Sequence, residues 1–442
     1  MAAHRLVAAL EQLEPDAIDR VFGHEADLFC REPAPSVLAP VRRVALVTES
    51  FYPKMDGVAK SAYLTLRYLQ QTGREVMVIA PDIAPPQVGP SRVRGVASVG
   101  LPFAPETRVA LPLASVGKHL EAFQPDLVHL FSPAVMSAQG VRYGQRHHVP
   151  VIANYQTDLP AYAHHYGMGA FAPTVTSWLR AVHNRADLTL VPSQFTLRQL
   201  REQGYRGLRV WKRGVDLDRF SPANRSPEMR AKLLAGRPDD ALLCLYVGRI
   251  ASEKRIDLLL DIARVPGVAL TIVGDGAARE DLETLFAGTD TVFTGYLYGD
   301  DLAAAYASAD AFTFPGPSET FGQVVQEAMA SGLPCVVIDQ GGVSDLVTHG
   351  ASGFVCSADP AAFAEAVGAL LSHPDLRLNM ARRARADAEQ RPWSAIMAQL
   401  EDYYREAIAF NYRLVNQRFR PQRPSLVQRF YTRVAGRAST AD

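Results

Sequence analysis

The sequence predicts an α/β protein made of two successive doubly wound domains. Three observations carry that prediction. Short continuous apolar runs, such as Val44, Ala45, Leu46 and Val47, recur along the chain, as strands buried on both faces require. They alternate with helical stretches, which implies parallel sheets covered by helices. The alternation stops near residues 211–222 and then restarts, and 442 residues suit two cores better than one.

Residues 1–40 form an extension. Leu6, Val7, Leu10 and Leu13 share one helical face, and the proline-containing linker "REPAPSVLAP" follows. The first domain, residues 41–214, opens with the strand "RRVALVTES". The loop "FYPKMDGVAKS" and the helix "AYLTLRYLQQTG" come next, with Gly73 placed to end the helix. Strands follow at "EVMVIAP", "DLVHLFS", "PVIANYQ" and "LTLVPS". The second domain, residues 215–392, repeats the pattern. "LLCLYVGRI" is a strand, "RIDLLLDIARV" a helix, "ALTIVGDG" a strand and "REDLETLFAG" a helix. "TVFTGYL" is a strand, "DDLAAAYASA" a helix and "AFTFPGP" a strand. A helix from Thr320 to Ala330, with Ser318 as its N-cap, then leads to the strand "PCVVID". Ligands of such sheets bind beyond the carboxyl ends of the strands, so two facing sheets share one cleft.

Composition excludes several classes. Formal net charge is zero, so no overall field draws in nucleic acid. Hydrophobic residues are 48% and charged residues 21%, an ordinary globular balance. The four cysteines, Cys30, Cys244, Cys335 and Cys356, are scattered and form no CxxC pair. They read as buried thiols in a reducing compartment, not as zinc ligands or a disulfide framework. No apolar run reaches the roughly 18 residues of a membrane span, and the N-terminus lacks a signal-peptide pattern, so the cytoplasm is the expected location.

The stretch "SETFGQVVQEAMASGLP" holds two isolated acids, Glu319 and Glu327, eight positions apart. On one helix that spacing covers about 12 Å on roughly one side. The amides around Thr320 and Phe321, with Gly322 beside them, then form an anion site at the helix start. A nucleotide diphosphate sugar has hydroxyls at both ends and an anionic bridge between. Glu319 fits the sugar, Glu327 the ribose and the helix end the bridge. The plainer alternative is two surface glutamates on an amphipathic helix.

"YVGRIASEKRID" places Gly248 at a strand end, with Arg249 and Lys254 in the next loop. Two cations there can neutralise a diphosphate leaving group, or else form a solvated charge pair. Gly57, in "TESFYPKMDGVAKS", lets backbone approach a ligand or simply makes a turn. Gly341 and Gly342 repeat the theme after "CVVI". Asp216 and Asp218 in "VDLD" fall in the connection between domains, and His147, His148, His164 and His165 lack ligand spacing, so no metal site is expected.

From about Val41 to about Phe410 the chain resembles the retaining family-4 glycosyltransferases of GT-B fold. "YVGRIASEKRID", "VGDG", "VFTGYLYGDDLAAAYASAD", "ETFGQVVQEAMASGLP" and "GGVSDLV" carry the resemblance in the family's order. "YQTDLPAYAHHYG" and "ETFGQVVQEAMASGLP" are most similar to GDP-mannose-dependent α-mannosyltransferases acting on glycolipids. "RADLTLVPS", "WKRGVDLDRFSP" and "SPEMRAKL" are similar to sulfoquinovosyltransferases.

The resemblance implies two Rossmann-like domains facing across a cleft, the first for acceptor and the second for donor. Residues 393–442 would then supply a helix returning to the first domain, followed by a basic tail. The paired glutamates match Glu319 and Glu327, the diphosphate-binding cations match Arg249 and Lys254, and the glycine loop surrounds Gly57. The nucleobase would lie near Gly295 and Tyr296. Where many members carry a histidine touching the donor sugar, this chain has Gln156, then Thr157 and Asp158, which makes Asp158 a candidate for acceptor contact.

The function implied is retaining transfer of a hexose, mannose from GDP-mannose, to a hydroxyl of a lipid or glycolipid, without a metal or other cofactor. Competing readings are transfer from UDP-sulfoquinovose or UDP-glucose to diacylglycerol, a nucleotide-sugar 2-epimerase, and a non-catalytic nucleotide-sugar binding protein. From Asn411 onward there are seven arginines and one acid, Asp442. Leu426, Val427, Phe430, Tyr431 and Val434 give that tail an apolar face, which suits an anionic membrane surface such as the inner face of the plasma membrane.

Overall fold

A computed structural model describes residues 41–54, 56–101, 104–110, 114–131, 135–156, 158 and 172–419. The extension expected over residues 1–40 and the tail from residue 420 lie outside the described residues. So do Cys30, Thr157, His164 and His165.

In the first half, β1 (Arg43–Thr48) leads to α1 (Gly57–Gln71) and β2 (Glu75–Pro81). The short β3 (Gln87–Val88) and β4 (Ser91–Val96) follow, and β5 (Ser98–Leu101) and β6 (Ala104–Ala110) form a separate hairpin. Next come α2 (Ala114–Phe123), β7 (Leu127–Phe131), α3 (Met136–His147) and β8 (Val151–Asn154). The half ends with α4 (Ala172–His183), β9 (Leu188–Val191), α5 (Gln194–Glu202) and β10 (Leu208–Val210). The sheet order is β10-β9-β8-β7-β1-β2-β4-β3, parallel except between β3 and β4.

The second half opens with α6 (Pro227–Leu234) and β11 (Leu242–Val247), followed by β12 (Val268–Val273), α7 (Arg279–Leu285), β13 (Val292–Gly295) and α8 (Gly299–Ser308). It continues with β14 (Ala311–Phe314), α9 (Gln323–Ala330), β15 (Cys335–Ile338), β16 (Gly353–Cys356), α10 (Pro360–Ser372) and α11 (Pro374–Glu389). Its sheet, β13-β12-β11-β14-β15-β16, is wholly parallel. All six residues of β11 are buried, as a strand covered on both faces demands. Each fully buried leucine or valine there contributes roughly 1.5–3 kcal/mol of transfer free energy. In both sheets the strand order reverses beside the first strand, between β1 and β7 and between β11 and β14. Crevices at such reversals are where ligands of doubly wound sheets sit.

Three local expectations need correction. The stretch "GVAKS" is helix, not loop. Asp56 is extended, and its carboxylate accepts from the amides of Val58 and Ala59, so α1 starts at Gly57. "RIDLLLDIARV" is two 3₁₀ turns, Ile256–Leu259 and Ile262–Arg264, not an α-helix. Ile256, Leu258, Leu259 and Ile262 are buried, so the apolar pattern was real, but Arg255 has φ +50° and Pro266 closes the segment before β12. The helix after β14 begins at Gln323, not Thr320. Gly322 takes φ +93° and is its N-cap, and Ser318 caps nothing there.

The last helix, α12 (Trp393–Phe419), packs on the first half. Trp393, Ile396, Met397, Leu400 and Tyr404 share a core with Val44, Leu46 and Leu127. The Tyr404 hydroxyl and His129 Nδ1 share a hydrogen bond of 2.8 Å, and Trp211 Nε1 donates to the Ile396 carbonyl at 2.9 Å. Among the described residues no helix is long and apolar enough to cross a membrane.

Candidate active site

The second half builds its side of the crevice from the loops after β11 and β14. Gly248 follows β11 directly, and its amide bonds to the Val273 carbonyl at 3.0 Å. A Cβ at Gly248 would lie 2.8 Å from the Tyr246 hydroxyl, so a side chain there would displace that hydroxyl. Arg249 then pairs with Glu253 at 2.6 Å. Lys254 reaches across the strand reversal and pairs with Glu319. This joins the candidate cation of one loop to the candidate acid of the other.

Glu319 is fixed by its backbone. Gly342 donates its amide to the Glu319 carbonyl at 2.6 Å, and a Cβ on Gly341 would lie 2.9 Å from the same oxygen. Gly341 and Gly342 therefore permit one loop to cross another, where the sequence had placed a ligand approach. Because the helix starts only at Gln323, Glu319 stands on the loop ahead of α9, and the one-helix geometry expected for the two acids does not hold. Glu327 is in α9 and is 7% exposed, which removes the surface-glutamate alternative for it. The Tyr306 hydroxyl donates to Glu327 Oε2 at 3.3 Å. Burial first, and then the Glu327 charge, push the Tyr306 phenol well above its usual range, so it stays a donor.

The first half faces this site. The Thr320 hydroxyl donates to the Gln156 carbonyl at 3.0 Å, and the Phe195 amide donates to Asp345 Oδ2 at 2.6 Å. Gln156 is buried, with Oε1 lacking a hydrogen-bond partner. Phe321 is buried in the second core and holds this turn down. A small cavity at the ends of β8 and β9 is lined by Asn154, Gln156, Lys212 and Arg213, among others. Gly57 abuts the guanidinium of Arg213, since a Cβ there would lie 3.2 Å from Arg213 Cζ.

Two expected residues lie further out. Gly295 has φ +77°, and Tyr296 is exposed, with its hydroxyl donating to the Asp275 carbonyl at 3.0 Å. Its ring stacks on exposed Tyr298 with centroids 5.8 Å apart. Asp158 accepts from the Tyr155 hydroxyl and lies near Tyr205.

Arg213 and Tyr306 were missed in the sequence. Arg213 falls in the connection read as a mere boundary, and the tyrosine looked like one more apolar helix position. Asp216 makes a turn: its Oδ1 accepts from the amides of Asp218 and Arg219. Among the described residues no group of three or more His, Cys, Asp or Glu could hold a metal ion.

A switch-point crevice carrying paired acids and cations is what nucleotide-sugar enzymes of two-domain α/β type present. The comparisons agree. Residues 229–387 match the model of glycosyl transferases group 1, and residues 55–219 match that of glycosyltransferase family 4. A GDP-mannose-dependent alpha-mannosyltransferase of Mycobacterium tuberculosis is 41% identical over 71% of this chain and 83% of its own. One of Mycolicibacterium smegmatis is 37% identical over 82% and 96%. Sulfoquinovosyl transferase SQD2 of Arabidopsis thaliana is 35% identical over 85% and 76%. Among solved structures, sucrose-phosphate synthase of Thermosynechococcus elongatus aligns over 83% of this chain and 99% of its own, with TM-score 0.68 and 21% identity. Anabaena HepE bound to UDP and glucose aligns over 82% and 99%, with TM-score 0.62 and 20% identity. The chain belongs to the family-4 glycosyltransferases and has their GT-B fold.

Proposed function

We propose that the protein transfers mannose from GDP-mannose to a hydroxyl of a lipid or glycolipid acceptor, with retention of anomeric configuration and without a metal. The observation that carries the transferase reading is the Lys254–Glu319 pair at the β11/β14 reversal, opposite Gly57 and Arg213. Glu319 holds the sugar hydroxyls, while Arg249, Lys254 and the start of α9 take the charge that develops on the departing diphosphate. Tyr306 keeps buried Glu327 in place for the ribose hydroxyls. The acceptor hydroxyl attacks from the face the diphosphate leaves, and its proton passes to the departing phosphate. No side chain of this set is arranged as a covalent nucleophile, which favours the front-face route. Mannose and guanine rest on the similarity to mannosyltransferases over most of both chains.

The similarity to a sulfoquinovosyl transferase supports a second reading, transfer from UDP-sulfoquinovose to diacylglycerol. The test offers purified protein GDP-mannose, UDP-glucose and UDP-sulfoquinovose, each with diacylglycerol and glycolipid acceptors. Mass spectrometry of the lipid and NMR of the anomeric proton read the product. An α-mannosylated lipid made only from GDP-mannose supports the first reading. A sulfoquinovosyl lipid supports the second, and nucleotide binding without any transfer supports a binding protein. Association with an anionic bilayer belongs to the same proposal. It is read by liposome co-sedimentation of the full chain against one ending at Asn411, and equal binding would remove it.

A further inference from the structure

Arg213 occupies the segment that joins the two halves, and its backbone is held firmly. The Gln326 amide donates to the Arg213 carbonyl at 3.0 Å, and the Gln323 amide to the Gly214 carbonyl at 3.1 Å. Both glutamines belong to α9, the helix that follows Glu319. Trp393 closes on Gly214, where a Cβ would lie 2.7 Å from Trp393 Cα. The backbone that carries the Arg213 side chain is therefore held by α9 and by the start of α12.

Among the described residues that head has no direct partner. Glu319 and Asp56 are the carboxylates whose charge reaches it. Glu319 is engaged by Lys254. Asp56 is engaged by Lys54 at 3.2 Å, by the Ser50 hydroxyl at 2.7 Å and by two amides of α1. Among the described residues no hydrogen bond or ion pair reaches the Arg213 side chain, and its Nε is buried without a partner. Burial lowers its pKa despite both carboxylates, so desolvation outweighs their attraction. A desolvated cation without a directly bonded anion is costly, and one lining a cavity between the halves is a place for an anion.

We propose that Arg213 is a third cation of the diphosphate site, donating from the inter-domain connection to the β-phosphate of the bound donor. This rests on the nucleotide-sugar reading. The β-phosphate is the anionic group next to the sugar that Glu319 holds, and the planar guanidinium suits two phosphate oxygens. Gly57, lacking a side chain, leaves room for the guanidinium at the start of α1.

The test titrates GDP, GDP-mannose and GMP calorimetrically into wild type, Arg213→Gln and Arg213→Lys, with melting temperatures as a folding check. GMP lacks the β-phosphate. The glutamine variant should lose about tenfold or more in GDP affinity, keep GMP affinity within about twofold, and be partly rescued by lysine. Unchanged GDP binding, or equal loss for both nucleotides, overturns the proposal. So does a loss confined to GDP-mannose, which would place the guanidinium on the sugar. If wild type binds GDP and transfers mannose yet the variants match it, only this inference fails. If wild type binds neither GDP nor UDP, the nucleotide-sugar reading falls with it.

Discussion

Lys254 and Glu319 are paired across the strand reversal of the second sheet, with the lysine side chain 12% and the glutamate 28% exposed. The pair explains how two charged groups persist together in a crevice that is not fully open to water: each screens the other until a donor arrives. On binding, the diphosphate competes for the ammonium and the sugar hydroxyls for the carboxylate. Glu319→Gln keeps the shape and removes the charge. Steady-state assays should show kcat reduced by about 10²–10³, the scale for losing one charge-stabilising contact, with the fold retained. Full activity in that variant would end the role given to Glu319.

Glu327 depends on a different partner. Tyr306→Phe removes the hydroxyl that donates to its buried carboxylate at 3.3 Å. Weakening a hydrogen bond to a buried charge costs about 1–3 kcal/mol. The expected result is a lower melting temperature together with a raised KM for the donor, since the carboxylate proposed to meet the ribose is no longer anchored. A lower melting temperature with an unchanged KM would separate Glu327 from donor binding.

Thr320 ties the halves through the Gln156 carbonyl. Thr320→Val removes that bond at little change in volume. About 1 kcal/mol of preference for the arrangement in which the halves touch here should be lost, roughly a fivefold shift in population. Distance labels on the two halves, read by fluorescence transfer, should report a more open average. An identical distribution would mean the contact does not bias closure.

Much of this was legible in the sequence because buried parallel strands announce themselves. The runs "VALV", "LLCLYV" and "CVVI" are apolar without alternation, and each became a central strand. Loops at the ends of such strands then locate a crevice with no knowledge of side-chain positions. What could not be read was set by contacts distant in the chain. The start of α9 at Gln323 depends on Gly322 fitting under Val343, and a helical pattern carries no record of that. Arg213 looked like a boundary residue because its neighbours at Gly57 lie about 156 positions earlier. Tyr306 looked like an ordinary core aromatic because Glu327 meets it only once α8 and α9 pack.

Stability should carry a mark of Asp187, far from the site. Its Oδ2 accepts from the Val151 amide at 2.7 Å, and Asn411 of α12 donates to the same carboxylate at 3.3 Å. Burial raises its pKa from 3.8 to about 6, against those two hydrogen bonds. Between these values the folded chain holds more protons than the unfolded one, so stability falls as pH rises and the penalty is complete above about 6. The penalty is at most about 3 kcal/mol. Asp187→Asn should therefore melt higher than wild type at pH 7.5 and converge with it near pH 4. Parallel melting curves across that range would contradict the assignment.

The most direct measurement is a crystal structure of the full chain with GDP bound. The account predicts the pyrophosphate within hydrogen-bond reach of Lys254 and the first turn of α9, with the ribose hydroxyls on Glu327. A pyrophosphate bound elsewhere, or Glu319 and Glu327 both turned to bulk solvent in the complex, would contradict it.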